Sequence, residues 1–376
     1  MSADDLLVVD ETGAYLGAFR RRASACGMET LRSPFVQHVG SDPFDLESFA
    51  ETAGRESELI DSPGLPLRPS LDLFLDHAAR VVDRFDLRGH LREARVTGIE
   101  RGRPLAVRTT GGTVDAEHVA IATGPGDGYV CPAWGREVPL VEHVWETERS
   151  PLETTDRNET VCVVGGGTTA GQISTSLADA GREVTLCTRR PIRTARMEAD
   201  PRWLNWRHIE RHLHSLPAGS RARLERVDEA RNDGTMPPYL EKRVAESPAV
   251  SNRRCRVVSA SPAGGGVELR CHDGARIDAD RVVLATGFKP AYDRPLVDAV
   301  ASSLGLQRGA AGVPVLDDET LSWDRTDGGR SRVFVTGALA ACTVGPFAGN
   351  VAGARRAAER IAQTVRSETN RSRSVV

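Results

Sequence analysis

Residues with the types and spacing needed for phosphate binding form a glycine-rich turn. The turn lies between an apolar run, TVCVV, and a helical stretch that ends near Ala180, and it contains Gly165, Gly166, Gly167, Thr168, Thr169 and Ala170. In this spacing the first glycine permits a tight turn, the second lets the backbone approach a pyrophosphate, and Ala170 replaces a third glycine where helix and strand pack closely. Free N–H groups at the helix start then bind phosphate oxygens. With the following apolar run, EVTLCT, the segment predicts a dinucleotide-binding β-α-β unit.

The end of the second apolar run indicates which dinucleotide binds. An NAD site places Asp or Glu about 20 residues after the glycines, where the carboxylate binds the ribose 2′-hydroxyl. Here Thr188 is followed by Arg189 and Arg190. Guanidinium groups bind a 2′-phosphate through charge-assisted hydrogen bonds. The sequence therefore predicts NADPH rather than NADH, and the alternative is a solvated surface pair in an arginine-rich protein.

The elements that would position these residues follow an α/β pattern. Apolar runs end in a Thr-Gly step at Gly124, at Thr286–Gly287 and at Gly337, and each is typical of a buried parallel strand. These runs alternate with helical stretches near 70–85, 168–180, 203–231 and 350–364. A meander of short strands precedes both Gly124 and Gly287. Two such meanders are typical of two dinucleotide-binding domains.

The composition excludes several classes of protein. The 376 residues carry a net charge of −3 and 40% of them are hydrophobic, which excludes general disorder and gives no electrostatic basis for binding nucleic acid or membrane surfaces. No apolar run approaches the roughly 18 residues of a membrane span, and the acidic N-terminus lacks a signal peptide's features. The seven cysteines include no C-x-x-C pair. This usage predicts reduced thiols in the cytoplasm, and argues against structural zinc or a redox-active dithiol.

In the order of its motifs, the chain resembles flavin-dependent monooxygenases with two dinucleotide-binding domains. That group includes the flavin-containing monooxygenases and the lysine and ornithine N-hydroxylases. The likeness extends over about residues 6–364 and is carried by LLVVD, DETGAYLGAF, ETLRSPFVQH, RPSLDLFLDHAARVVDRFDL, VEHVWET, LATGFKP and VTGALAACTVGPFAGNVAGARRAAERI. It implies two Rossmann-like domains. An NADPH-type domain at 156–286 is inserted into an N-terminally incomplete FAD-type domain at 1–155 and 287–365, and a disordered tail follows at 366–376.

The resemblance also implies an activity and its cofactors, FAD and NADPH. NADPH would reduce the flavin, and reduced flavin would react with O₂ to give a C4a-hydroperoxyflavin that oxygenates a small amine or other soft nucleophile. The implied partner is a small-molecule substrate, with no nucleic acid and no membrane. Two alternatives stay open. One is a flavoprotein reductase or dehydrogenase without oxygenation, and the other is a non-catalytic NADP-binding pseudoenzyme that has lost FAD.

Individual residues acquire roles through the same resemblance. Asp10 would bind the FAD ribose, Arg32 would approach the flavin or the NADPH phosphates, and His143 would contact the nicotinamide. A helix N-terminus directed at the flavin would stabilise its reduced anionic form, and it would follow Gly345, Pro346 and Phe347. The structural alternatives are an ordinary salt bridge for Arg32, a hydrogen-bonded strand end for His143 and a plain helix start after Phe347.

Some features depart from this pattern or fall outside it. No G-x-G-x-x-G loop precedes the strand Leu6–Asp10. We therefore expect about 30 further residues with that loop upstream of Met1, and the alternative is a lineage that has lost FAD. The loop at 229–238 is a candidate cover for the active site or the substrate. His208 and His212 share a helix face without further ligands, so no metal site is expected.

Overall fold

The computed structural model describes residues 5–61, 64, 66–126, 128–146 and 149–373. The strands in chain order are β1 (Val8–Asp10), β2 (Leu59–Ile60), β3 (Arg68–Pro69), β4 (Leu91–Glu93), β5 (Val96–Glu100), β6 (Leu105–Thr109), β7 (Gly112–Ala116), β8 (Val119–Ile121), β9 (Val141–His143), β10 (Thr160–Val164), β11 (Glu183–Thr188), β12 (Arg193–Thr194), β13 (Thr235–Met236), β14 (Val250–Arg254), β15 (Val257–Ala263), β16 (Gly266–Cys271), β17 (Arg276–Ala279), β18 (Arg281–Leu284), β19 (Ser322–Asp324) and β20 (Arg330–Val335).

The α-helices alternate with these strands, as the α/β pattern predicts. They are α1 (Gly17–Ala25), α2 (Asp45–Ala53), α3 (Leu71–Arg84), α4 (Pro151–Thr154), α5 (Thr168–Asp179), α6 (Trp206–Ile209), α7 (Arg221–Ala230), α8 (Pro238–Glu246), α9 (Pro295–Leu304), α10 (Ala341–Val344) and α11 (Val351–Arg373). Capping residues in the sequence explain where several of these helices begin. The side chain of Ser70, for example, caps α3 by accepting a hydrogen bond from the N–H of Leu73.

One five-stranded parallel sheet forms the centre of an inner unit, with the order β14-β11-β10-β18-β9. Side chains of β10 alternate between its faces. Val161 and Val163 pack with α5 and α8 on one face, whereas Cys162 and Val164 pack toward the β15-β16-β17 meander on the other. Because both faces are covered there, the central strands β11, β10 and β18 are largely apolar rather than alternating, whereas the edge strand β14 (VSNRR) is polar and mostly exposed.

Strand β9 belongs to this inner sheet, which differs from the boundary expected at residue 156. His143 of β9 lies opposite Leu284 of β18 in a parallel ladder. The inner unit therefore includes residues 141–143. A strand of three residues followed by a polar loop gives too little periodic signal to be assigned to a sheet from sequence alone.

An outer unit contains the strands on both sides of the inner unit in the chain. β8 pairs in parallel with β20, which also pairs with β19, and β1 pairs in parallel with β4. Helix α11 covers the β8–β20 layer with Ala357, Ile361 and Val365, while the β5-β6-β7 meander packs on α9. Strands from before and after the inner unit thus share one sheet.

The C-terminal segment differs from its prediction. Helix α11 continues to Arg373, although a disordered tail was expected from residue 366. Val365 is buried against the outer unit, and Glu368 pairs with His118 at 2.8 Å. These two contacts hold the end of the helix, which is otherwise polar, against the outer unit. Residues 374–376 lie outside the described residues.

A disulfide also corrects the prediction of reduced thiols. Cys255 and Cys271 are bonded, with their Cα atoms 5.7 Å apart. The two residues lie 16 positions apart, one just after β14 and the other at the end of β16. Their proximity comes from the fold of the meander and not from a short sequence motif.

Within the described ranges, no helix is both long and apolar enough to cross a membrane.

A helical segment at 201–230 connects the two units through an ion pair. Arg223 is 1% exposed, and its guanidinium donates to both carboxylate oxygens of Asp318, at 2.6 and 2.7 Å. Its Nε also donates to the carbonyl of Leu216 at 2.9 Å. Helix α7 is therefore held to the outer unit by a bidentate contact between a buried guanidinium and a partly exposed carboxylate.

We expect the substitution Arg223→Ala to lower the free energy of unfolding by about 3 kcal/mol, because it removes a buried side chain and its two charge-assisted hydrogen bonds to Asp318. Urea denaturation followed by circular dichroism measures this change. Arg88→Ala, which removes an exposed ion pair with Asp83, is the control and should leave the midpoint unchanged. Equal effects of the two substitutions would contradict the assignment.

Candidate functional site

The glycine turn after β10 has the geometry that phosphate binding requires. A Cβ atom on Gly165 would lie 2.4 Å from the carbonyl oxygen of Ala285 and 3.1 Å from the Cβ of Ala170, so this position needs glycine. Gly167 is the N-cap of α5 and provides no side-chain cap. The N–H groups of the first turn of α5 are therefore available to an anion, and the helix dipole favours its charge.

The arginine pair lies where the sequence predicts, directly after β11. Arg189 and Arg190 are exposed, and neither has an ion pair or hydrogen bond with any described residue. Thr188, just before them, is buried, and its Cγ2 lies 4.0 Å from the position of a Cβ on Gly166. The two guanidiniums thus follow a residue that contacts the glycine turn.

The loop between α7 and α8 lies against the same turn. A Cβ on Gly167 would be 3.6 Å from the Cα of Gly234, and the hydroxyl of Thr168 donates to the carbonyl of Thr235 at 3.1 Å. Arg193 holds the loop further by donating to the carbonyl of Asp233 at 2.6 Å. The segment 229–238, a candidate cover in the sequence, therefore borders the candidate nucleotide site.

Arg32 ties the outer unit to the loop that follows β12. Its guanidinium donates to the carbonyls of Ala195 at 2.6 Å and Met197 at 3.0 Å, and to the hydroxyl of Thr235 at 3.0 Å. Burial lowers the pKa of Arg32. These neutral acceptors are not the salt bridge that was the structural alternative. The predicted contact with flavin or phosphate stays a prediction.

The two chain segments that connect the units pair with each other. Tyr129 and Phe288 form an antiparallel bridge, the N–H of Val130 donates to Gly287 at 3.0 Å, and the N–H of Lys289 donates to Gly128 at 2.7 Å. The hydroxyl of Thr286 also donates to the carbonyl of Val130. This ribbon brings the C-terminal end of β18 to the border with the outer unit.

Two rings of this ribbon pack with two rings from β9 and the loop after it. We call these four residues, Tyr129, His143, Trp145 and Phe288, the aromatic cluster. Tyr129 stacks on His143 with centroids 4.7 Å apart, and Trp145 stacks on Phe288 at the same distance. Arg22 of α1 lies 5.1 Å above the Phe288 ring and donates to the carbonyl of Gly126. The cluster therefore joins both connecting segments to the outer unit.

His143, the candidate catalytic residue, is fully buried in this cluster. Its Nδ1 accepts a hydrogen bond from the N–H of Trp145 at 3.4 Å. Its Nε2 makes no hydrogen bond of good geometry with a described residue, although the backbone of Gly287 lies close enough to the ring to oppose the lowering of its pKa. Desolvation lowers the pKa of His143 to about 4. The imidazole is consequently neutral near pH 7, with one ring nitrogen still available for a ligand.

On the outer unit, the turn after β20 leaves open space and unpaired polar atoms. Gly337 has a left-handed φ of 69°, and no described atom lies within 4 Å of a Cβ placed there. The Oγ1 of Thr336 and the Nδ2 of Asn350 are buried without partners in the described chain. Gly124, after β8, has the same left-handed conformation and the same open space. These features fit a ligand at the C-terminal ends of β8 and β20.

The segment at 345–347 leads into α11, which begins at Val351. Gly345 has a left-handed φ of 91°, and Phe347 is 2% exposed. The amide of Asn350 accepts from the N–H of Gly353 at 3.1 Å and so caps the helix. A helix N-terminus is therefore present after Phe347, and its direction toward a flavin stays a prediction.

Asp10 ends β1 as the sequence predicts. Its Oδ1 accepts hydrogen bonds from the N–H of Thr12 at 2.7 Å and from the Thr12 hydroxyl. No described residue donates to its other oxygen, Oδ2, which leaves that oxygen available to a ribose hydroxyl. No glycine-rich turn comparable to residues 165–167 precedes β1 among the described residues.

Two residues of the site, Arg22 and Tyr129, carried no signal in the sequence, because they lie in an Arg-rich helix and in an irregular segment where neither periodicity nor a motif distinguishes them. Trp145 and Phe288 lie in VEHVWET and LATGFKP, which carry the resemblance, but no role was predicted for either. His208 and His212 do come together, with ring centroids 4.2 Å apart beside Trp203. No cluster of three or more metal-binding side chains occurs in the part of the chain that the structure covers.

We expect alanine substitutions to separate the two roles of the glycines. Gly165→Ala should lower the free energy of unfolding by about 1–3 kcal/mol, because its methyl group overlaps Ala285. Gly167→Ala makes only an ordinary contact with Gly234 and should keep the melting temperature. It should weaken NADPH binding about tenfold or more by filling the space beside the phosphates. Thermal melts and titration calorimetry measure both effects; full NADPH binding by Gly167→Ala would contradict the assignment.

The buried imidazole of His143 predicts a dependence of stability on pH. The pKa of about 4 lies below the ordinary value of 6.5, so the unfolded chain binds this proton more readily. The contribution is complete above about pH 6.5, decreases as the pH falls toward 4, and amounts to up to about 3 kcal/mol.

Urea denaturation at pH 7 and at pH 4.5 measures this loss. The variant His143→Gln should lose less stability between these two pH values than the wild type. Both proteins keep the pH-dependent contributions of His38 and His77, whose pKa values are also lowered by burial. Parallel losses in the two proteins would refute the role of His143.

Comparisons with known proteins agree with this architecture. Residues 66–232 match the family model described as pyridine nucleotide-disulphide oxidoreductase. No curated protein sequence matches the chain. The ornithine N-hydroxylase of Kutzneria sp. 744, whose structure holds reduced FAD, NADP⁺ and L-ornithine, superposes with a TM-score of 0.70 at 16% identity, over 91% of this chain and 88% of that one.

Two further solved structures have the same fold. The ornithine hydroxylase of Pseudomonas aeruginosa matches with a TM-score of 0.70 at 18% identity, over 96% of this chain and 91% of its own. Bacillithiol disulfide reductase of Bacillus cereus matches with a TM-score of 0.62 at 17% identity, over 97% and 92%. These findings confirm the predicted α/β class and the resemblance to flavin-dependent monooxygenases. The chain has the two-dinucleotide-domain fold that these flavoprotein oxidoreductases share.

Proposed function

We propose that the protein is an NADPH-dependent flavoprotein oxidoreductase, and specifically a monooxygenase that acts on a small amine or other soft nucleophile. The observation that carries the proposal is the glycine turn with the free arginine pair beside it, connected by a short paired ribbon to the outer unit. The five cysteines that stay free support the cytoplasm as its location, although Cys255 and Cys271 are bonded.

The inner unit offers a place for each part of NADPH: the pyrophosphate, the 2′-phosphate and the nicotinamide. Gly167 and the first turn of α5 would hold the pyrophosphate, and Arg189 and Arg190 would bind the 2′-phosphate. The nicotinamide would extend along the C-terminal ends of β10 and β18, toward Thr286–Gly287 and the aromatic cluster. The buried ring of His143, which lies beside the backbone of Gly287, supports a polar contact at that end.

FAD fits the outer unit at the end that faces the ribbon. Thr336 and Asn350 have buried polar atoms that lack partners in the described chain, and Gly124 and Gly337 leave space for a ligand. Asp10 keeps an oxygen for the ribose. When bound, FAD would accept a hydride from NADPH and activate O₂ for transfer of one oxygen atom.

The residues of this chain would bind and shield the reacting groups rather than transfer protons. His143 is neutral near pH 7, and the surrounding rings exclude water from the border between the units. No described feature resembles a nucleophile–base–acid triad around it. This supports chemistry in which the cofactors react and the protein orients them.

Oxygenation is favoured over disulfide reduction by the position of the cysteines. The disulfide in the described chain, Cys255–Cys271, lies between β14 and the meander of the inner unit, and both residues are buried. Of the five free cysteines, Cys162 and Cys187 form a close pair, but it is buried within the inner sheet. Cys26 and Cys131 lie nearer the border, and their sulfurs contact Gln172 and Glu146 rather than each other. A dithiol that exchanges electrons with flavin would lie as a pair at the border of the two units.

A direct experiment combines the protein with FAD, NADPH and a panel of small amines that includes L-ornithine and L-lysine. The proposal predicts coupled consumption of NADPH and O₂ and a product one oxygen atom heavier, detected by mass spectrometry. NADPH oxidation with an external acceptor and no oxygenated product would instead indicate a reductase. NADPH binding without any FAD binding would indicate a non-catalytic NADP-binding protein.

Nucleotide preference tests the arginine pair separately. Arg189→Ala and Arg190→Ala should each weaken NADPH binding about tenfold or more, because each removes a charged hydrogen bond worth roughly 1.5–3 kcal/mol. NADH affinity should change little. Arg270→Ala, on the exposed side of β16, is the control. Equal losses for NADPH and NADH would refute the 2′-phosphate assignment.

A further inference from the structure

The end of β14 lies directly beside the arginine pair. β14 pairs in parallel with β11, so that Arg253 lies opposite Cys187 and Arg254 opposite Thr188. Neighbouring strands are about 4.8 Å apart. The backbone of Arg254 therefore lies beside Thr188, the residue that precedes Arg189 and Arg190.

Arg253 and Arg254 point to opposite faces of the sheet, because side chains alternate along a strand and paired residues share a face. Arg254 shares the face of Thr188, whose Cγ2 borders Gly166 of the phosphate-binding turn. Arg253 shares the face of Cys187, which packs with the meander. There the hydrogen bond with Cys162, and then the charge of Arg253, lower the pKa of the Cys187 thiol.

The two arginines also differ in their contacts. The guanidinium of Arg253 donates to the carbonyl of Arg276 at 3.5 Å. Arg254 is exposed and has no hydrogen bond or ion pair with any residue in the described ranges. With Arg189 and Arg190, it completes three guanidiniums that lack a carboxylate partner. Such a concentration of uncompensated positive charge is suited to an anion.

The backbone that carries Arg254 is held in place on its C-terminal side. The N–H of Cys255 donates to the carbonyl of Thr188 at 2.9 Å, and Cys255 is bonded to Cys271. The end of β14 is thus fixed against both β11 and the meander. A guanidinium on a fixed backbone loses less conformational freedom when it binds.

We propose that Arg254 is a third ligand of the 2′-phosphate of NADPH and a determinant of nucleotide specificity, together with Arg189 and Arg190. The inference rests on the proposed use of NADPH by the inner unit. According to this proposal, the end of β14 supplies one guanidinium of the 2′-phosphate site, in addition to those that follow β11.

Calorimetric titration with two probes tests this role without any flavin. Adenosine 2′,5′-bisphosphate carries the 2′-phosphate, and adenosine 5′-monophosphate lacks it. Arg254→Gln should weaken the bisphosphate about tenfold or more and leave the monophosphate within about twofold, because only the charged contact is lost. The matched control is Arg253→Gln, which removes the same charge one residue away on the other face.

The outcomes separate the two levels of the proposal. If Arg254→Gln behaves like Arg253→Gln while Arg189→Gln and Arg190→Gln lose the bisphosphate selectively, the role of Arg254 is wrong and the NADPH site stands. If none of the three substitutions distinguishes the probes, the 2′-phosphate site itself is wrong. Arg254→Lys should regain part of the affinity, and melting temperatures verify that each variant is folded.

Discussion

The close parallel pairing of β10 with β18 is the contact on which the rest of the site depends. It places the carbonyl of Ala285 so near Gly165 that no side chain fits between them. One consequence is that the phosphate-binding turn lies beside the chain segment that returns to the outer unit. A second is that the ends of both strands, and of β9 with His143, meet at a single edge of the sheet. The candidate nucleotide site and the border between the units are therefore built on the same few residues.

Contacts across that border include hydrogen bonds to backbone carbonyls, stacked rings and ion pairs, such as Arg223 with Asp318 and Arg243 with Glu29. Arg32 and Arg22 both donate to carbonyls of other segments, and Arg223 binds Asp318 across the units. Arginine suits this use because its planar group keeps several donors in a fixed geometry. The arginine pair after β11 and Arg254 differ in having no such partner in the described chain. The arginines that join the two units are thus occupied, whereas Arg189, Arg190 and Arg254 have no partner among the described residues.

Much of this arrangement could be predicted where the chain has a strong local pattern. The glycine turn, α3, α5, both meanders and the strands before Gly124, Gly287 and Gly337 all have clear spacing or alternation. Strand β9 was missed because three residues give no period. The helical end of α11 was missed because its last turns are polar, and only tertiary contacts of Val365 and Glu368 show why it continues. The disulfide and the aromatic cluster were missed because their members share no short motif: Cys255 and Cys271 lie on separate elements of the inner unit, and Tyr129 and Phe288 lie on separate connecting segments, so only the folded sheet brings them together.

The central claim is that the inner unit delivers reducing equivalents from NADPH to a flavin held by the outer unit. The most direct measurement is anaerobic mixing of the FAD-loaded protein with NADPH, followed by flavin absorbance. The account predicts rapid bleaching with NADPH and much slower bleaching with NADH at the same concentration. Persistent flavin absorbance in a protein that binds both FAD and NADPH would contradict the account.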